Sequence, residues 1–154
     1  MSAAPATSAG PRRPIDPGLF TWPETPDRPA RLLGSRCTAC GTVVFPGQDG
    51  CPSCGTPGMA PVELGRRGTL WTWTSQDFRP KAPYAGPEPE EDFPGYLVGY
   101  VELPEGVRVI ARLVEVERAG VHIGMELELV LVPFTTDPDG TEVVAYAFRP
   151  VEAG

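Results

Sequence analysis

The chain has 154 residues and a formal net charge of −7, enough for one ordinary hydrophobic core plus a small appended module and too few for two full domains. The charge is uneven: residues 1–67 carry seven arginines against five acids (net +2), and residues 68–154 carry six basic against fifteen acidic groups (net −9). That acidic C-terminal part repels a polyanion such as nucleic acid, and the longest apolar run, around Leu129–Phe134, is strand-sized rather than membrane-sized.

Residues 1–17 are rich in Pro, Ala and Ser without apolar periodicity, which predicts a disordered tail. The same stretch has no apolar segment of the kind that marks export, so a cytoplasmic location is expected. Residues 18–34 form a proline-rich arm whose Leu19, Phe20 and Trp22 need something to pack on. Either the chain's own core or a docked partner supplies that surface. Prolines at 23, 26 and 29 limit any helix here to a short turn from Pro29 to Leu33.

The segment 35–64 contains all four cysteines, in two C-x-x-C-G knuckles: Cys37 and Cys40 before Gly41, Cys51 and Cys54 before Gly55. Such a pair wraps two sulfurs around one metal, and the following Gly can take positive φ, turning backbone N–H groups toward the thiolates. Two knuckles close a Cys₄ set with no position left for substrate, which is the composition of a structural zinc ribbon. A rubredoxin-like iron site is the rival reading, because C-P-x-C-G also occurs there. Paired disulfides are the other, disfavoured without an export signal. Thr42 to Phe45, followed by Pro46-Gly47, supplies a short hairpin arm between the knuckles.

Residues 65–150 read as all-β. Thr69–Thr74 is a β-branched and aromatic strand. Tyr96–Leu103 alternates, with Leu97, Val101 and Leu103 on one face and Tyr96, Val98 and Tyr100 on the other. Pro104 and Gly106 make a tight hairpin into Val107, Val109, Ala111 and Leu113, with Arg108 and Arg112 facing away. Met125, Leu127, Leu129 and Leu131 repeat the pattern against Glu126 and Glu128, and Val143–Phe148 is the last strand. Five strands joined mostly by turns predict a small Greek-key barrel of the OB type, with an open sandwich as the alternative. The long connection 77–95 breaks the regularity. Its first half offers Arg79, Lys81 and aromatics and its second half is the acidic run Glu88–Asp92, so it is a candidate contact loop.

The order of parts resembles a known family. Arg31-Leu32-Leu33-Gly34-Ser35-Arg36 leads into the first knuckle, Gly65-Arg66-Arg67-Gly68-Thr69-Leu70 opens the barrel, and Gly99–Val107 and Tyr146–Pro150 follow. Over about residues 30–150 this is similar to the zinc-ribbon/OB-fold acyl-CoA-associated proteins, catalogued as a domain of unknown function. The resemblance implies a rubredoxin-like ribbon joined to an OB barrel. It also implies a companion subunit of a thiolase-like enzyme, with an acyl-CoA hydratase or a side-chain aldolase as alternative partners. Many members carry a helical hairpin before the ribbon; here the proline-rich arm stands in its place.

The residues themselves offer little for catalysis. Thiolase chemistry needs a free thiolate and a base, the thiols here are committed to metal, and His122 is the single histidine. Neither a G-x-S-x-G elbow nor a glycine-rich phosphate loop stands out. A non-catalytic subunit is the expectation. If the chain touches acyl-CoA, Arg66 and Arg67 are the first cationic candidates and Arg79 and Lys81 the next. A nucleic-acid-binding ribbon/OB module is the competing class. The acidic barrel lacks a basic stripe, and its exposed aromatics are not interleaved with Lys or Arg, which argues against it.

Overall fold

A computed structural model describes residues 10–84, 86 and 93–152. Among them there is no helix; every regular element is a strand. The ribbon sheet is β2 (Leu33–Cys37), β3 (Val43–Val44) and β4 (Met59–Glu63), antiparallel in the order β3-β2-β4. The second sheet holds β5 (Arg67–Gln76), β6 (Tyr96–Glu102), β7 (Arg108–Leu113), β8 (Glu126–Thr136) and β9 (Glu142–Pro150). β8 pairs with both β5 and β9, and β9 reaches β7, so the five strands close into a barrel and the open sandwich is excluded.

The alternation in β6 and β7 fills that barrel. Leu97, Val101, Val109, Ala111 and Leu113 are buried, together with Leu70, Leu127, Leu129 and Phe148 from the other strands. Gly99 stands among the inward positions of β6 for a steric reason. A Cβ there would lie 2.6 Å from Leu70 Cδ1 and 3.1 Å from the Thr72 carbonyl oxygen, so the missing side chain lets Leu70 occupy the centre. Phe20, Ala30, Leu32 and Leu64 belong to the same cluster, so arm, ribbon root and barrel share one core.

Two expectations for the N-terminal third are corrected. Residues 1–9 lie outside the described residues, but the stretch read as tail includes β1 (Arg12–Pro14), parallel to Glu142–Val144 of β9. β9 meets β7 only at Leu113↔Phe148, which leaves the first half of β9 with an open edge for another strand. Charge then holds β1 where apolar side chains do not. Arg13 donates to both Asp137 carboxylate oxygens at 2.8 and 3.1 Å, and Arg12 donates to Glu142 at 3.0 Å. The guanidinium of Arg13 holds the Asp137 carboxyl below its ordinary value.

The second correction concerns Pro29–Leu33, which is extended rather than a helical turn. Thr21 N–H donates to Arg31 O at 2.9 Å, Leu33 N–H donates to Leu19 O at 2.8 Å, and Phe20 bridges Leu32 between them. Burial of Phe20 and Leu32 on the common core selects this ladder over a helix. The acidic run Glu88–Asp92, half of the predicted contact loop, lies outside the described residues.

Candidate metal centre and ligand surface

Each knuckle is a turn that folds its own backbone back. Gly41 N–H donates to Cys37 O at 3.0 Å and Gly55 N–H to Cys51 O at 2.9 Å, with φ of 81° at Gly41 and 77° at Gly55. Those positive φ values are the reason glycine follows each pair. The backbone N–H groups of Ala39 and Cys40 in turn point at Cys37 Sγ, both at 3.4 Å.

The four thiols are unbonded to one another and their sulfurs all lie within 4.8 Å. The Cys37–Cys54 and Cys40–Cys51 separations are both 3.6 Å. A tetrahedral centre with bonds of about 2.3 Å sets its sulfurs about 3.8 Å apart, so the donor set and its spacing fit Zn²⁺. Cys37 and Cys51 are buried while Cys40 and Cys54 face solvent. The environment favours thiolates unevenly. Cys54 is drawn down to about 6, first by the Thr56 hydroxyl, then by the Thr56 backbone N–H and Cys37. Cys51 is lowered chiefly by the Cys54 backbone N–H. At Cys37 the Cys40 N–H pulls the same way, but burial and the neighbouring thiols Cys54 and Cys40 outweigh it and the thiol is raised. A bound cation takes the place of the protons that such a cluster otherwise shares.

The four candidate cations are not gathered into one site. Arg66 is spent on structure: its Nε donates to Ala30 O and its Nη2 to Leu129 O, both at 2.9 Å, joining arm to barrel. Arg67 is exposed, 3.9 Å from Glu128. Arg79 lies 5.0 Å from the Tyr84 ring and Lys81 is exposed, both beyond the far end of the ten-residue β5. Arg66→Ala is therefore expected to leave two part-buried carbonyls without their donor. It should destabilise the fold by about 1–3 kcal/mol, against about 0.5 kcal/mol or less for Arg67→Ala. Thermal melting of the two variants checks the contrast.

The arm residues divide as well. Phe20 is 1 % exposed and lies inside the shared core, so it is withdrawn from the docking set; Leu19 and Trp22 pack partly on that core and keep exposed surface. His122 sits in an exposed turn, its Nδ1 3.3 Å from Gly120 O. What the linear reading missed is on the outside of the barrel. Arg108 of β7 lies over the Trp71 ring of β5 at 3.9 Å, and Arg112 lies over Tyr96 at 3.6 Å. Aromatic and cationic residues are thus interleaved across strands although they are not along the chain. The available signal was the outward face of the same alternation that marked the core, Tyr96-Val98-Tyr100 against Arg108-Ile110-Arg112.

A three-stranded Cys₄ ribbon whose last strand runs into a closed five-stranded barrel defines the zinc-ribbon/OB-fold class. Residues 28–60 match the rubredoxin-like zinc ribbon domain of ChsH2, and residues 61–132 match the C-terminal OB-fold domain of ChsH2. The chain belongs to this ChsH2-type, DUF35 family. It is 32% identical over 128 residues to a DUF35 domain-containing scaffold protein of Methanocaldococcus jannaschii, covering 79% of this chain and 82% of the relative. It is 33% identical over 120 residues to the benzoylsuccinyl-CoA thiolase subunit BbsA of Thauera aromatica, covering 78% and 76%. Among solved structures it is similar to the Ltp2-ChsH2(DUF35) aldolase, with 31% identity, a TM-score of 0.58 and coverage of 78% and 84%.

Proposed function

We propose that this chain is a non-catalytic accessory subunit that binds a thiolase-like catalytic chain and supports β-ketoacyl-CoA thiolysis or a related carbon–carbon cleavage. The observation that carries this reading is the cysteine cluster. Every thiol of the chain lies within one closed donor set, so the group that thiolase chemistry uses as nucleophile is held by metal. The similarity to a thiolase subunit over most of both chains supports the choice of partner. An aldolase companion is the second reading, favoured by the similarity to the Ltp2-ChsH2(DUF35) aldolase. Affinity capture from the native cell, followed by mass spectrometry, separates the two by the identity of the co-purifying chain. The isolated subunit is expected to cleave no carbon–carbon bond of a CoA thioester, with or without added free CoA; full turnover by it alone would end both readings.

A further inference from the structure

The repeat in the ribbon is longer than the two knuckles. Cys37–Thr42 and Cys51–Thr56 share the pattern C-x-x-C-G-T, and in each unit the first cysteine is buried while the second is exposed. The exposed sulfurs have a neighbour in common. Thr42 Oγ1 lies 3.1 Å from Cys40 Sγ, and Thr56 Oγ1 lies 3.2 Å from Cys54 Sγ. The positive φ of Gly41 and Gly55 turns the chain back, so that the residue two places beyond each exposed cysteine returns to its sulfur. Backbone bonds then fix that return: Cys37 N–H donates to Thr42 O at 2.8 Å and Cys51 N–H to Thr56 O at 3.0 Å. Threonine is stiff at χ1, so a fixed backbone also fixes the hydroxyl. Thr38 supplies the contrast within the first knuckle. Its Oγ1 donates to Gly58 O at 2.8 Å and ties the ribbon backbone instead.

We propose that Thr42 and Thr56 are positioning residues that lower the nucleophilicity of the two solvent-facing metal thiolates, Cys40 and Cys54. The direction of each bond follows from the proton count. A thiol has a proton to give, and at Cys54 the Sγ–H donates to Thr56 Oγ1. A sulfur that binds Zn²⁺ has lost that proton, so the threonine hydroxyl becomes the donor and the thiolate the acceptor. A hydrogen bond to a thiolate is charge-assisted and draws on the lone pair with which the sulfur would attack an electrophile. The two kinds of cysteine are thus protected in two ways. Burial keeps reagents from Cys37 and Cys51, whereas Cys40 and Cys54 are open to solvent and each has a hydroxyl on its sulfur. The pair keeps the ribbon a structural clip at the very sulfurs where solvent would otherwise make it reactive.

The zinc-loaded full chain is treated with limiting iodoacetamide, and alkylation at each cysteine is timed by peptide mass mapping. In each event the sulfur bonds to the methylene carbon of the reagent and iodide leaves, so every mark reports one thiolate. Cys40 and Cys54 are expected to react before Cys37 and Cys51. Thr42→Val keeps the shape of the side chain without its donor and should speed alkylation at Cys40 by about three- to tenfold, the worth of one hydrogen bond. Thr56→Val should do the same at Cys54, and each variant should leave the other exposed cysteine at the parent rate. Thr42→Ser and Thr56→Ser restore a hydroxyl and should restore the slow rate. Zinc release, read with a chromogenic chelator, should quicken in step with alkylation in the valine variants only. The assignment is overturned by parent-like rates in the valine variants, by an increase spread over all four cysteines, or by Cys37 or Cys51 reacting first. Valine variants that hold no zinc also overturn it, because the hydroxyls would then be a requirement of ribbon assembly rather than a restraint on reactivity. None of these results bears on which catalytic chain co-purifies, so a failure here is distinct from a failure of the functional reading.

Discussion

Cys51→Ser is expected to release the metal and unfold the ribbon while leaving the barrel standing. Between residues 35 and 63 the buried residues are Ser35, Cys37 and Cys51, so two of the three are metal ligands. The ribbon sheet adds little of its own, since β3 is only two residues long. Structural zinc contributes an apparent 10–16 kcal/mol or so in isolated finger modules, comparable with the whole stability of a small domain. Without it the apolar burial within the ribbon is far too small to hold the two knuckles together. The barrel has its separate supply of Leu70, Val101, Val109, Leu127, Leu129 and Phe148. Zinc content by elemental mass spectrometry should fall from about one per chain to near zero, as it should after treatment of the parent with a strong chelator. Amide resonances of the ribbon should collapse while those of β5–β9 persist, and capture of the catalytic chain should drop by about tenfold or more. A metal-free Cys51→Ser protein with a dispersed ribbon spectrum and normal capture would contradict the account. A coloured, iron-containing parent would instead restore the rubredoxin-like iron reading.

The parts of the fold that were legible in the sequence are those that local chemistry decides. The knuckles are visible because cysteine and glycine fall at fixed spacing, and β6 and β7 because Leu97, Val101, Val109 and Leu113 recur at period two. β1 was invisible because Arg12, Arg13 and Pro14 carry no apolar signal. Its place depends on the open edge of β9 and on Asp137 and Glu142, more than 120 residues away. Arg66 looked like a ligand for phosphate because its two carbonyl partners, on Ala30 and Leu129, are 36 and 63 residues distant. The outer arginine–aromatic pairs were hidden for a related reason. Arg108 is no neighbour of Trp71 along the chain, and only the β5–β6–β7 pairing, with its bulge beside Trp71, brings the guanidinium over the ring.

Phe20→Ala is expected to be the most damaging single truncation in the arm, residues 18–34. The ring is 1 % exposed, and it stands where the arm, Leu32 and Leu64 meet the barrel core. Removing a buried phenyl from such a site costs about 3–5 kcal/mol, the lost transfer energy plus the cavity left behind. In a chain of this size that corresponds to a melting temperature lower by roughly 10 °C. The cavity would also loosen the Phe20–Leu32 bridge and the two hydrogen bonds beside it, Thr21 to Arg31 and Leu33 to Leu19. Trp22→Ala removes a ring that is only partly buried against the core and should cost less, about 1–2 kcal/mol. The two variants separate stability from docking. If the arm worked through Phe20 as a partner contact, Phe20→Ala would melt normally and lose the catalytic chain. Because Phe20 is core, its loss should appear first in melting and only through that in assembly, whereas Trp22→Ala can weaken assembly with little change in melting. Calorimetric melting and capture of the catalytic chain, measured on the same two variants, decide between these orders.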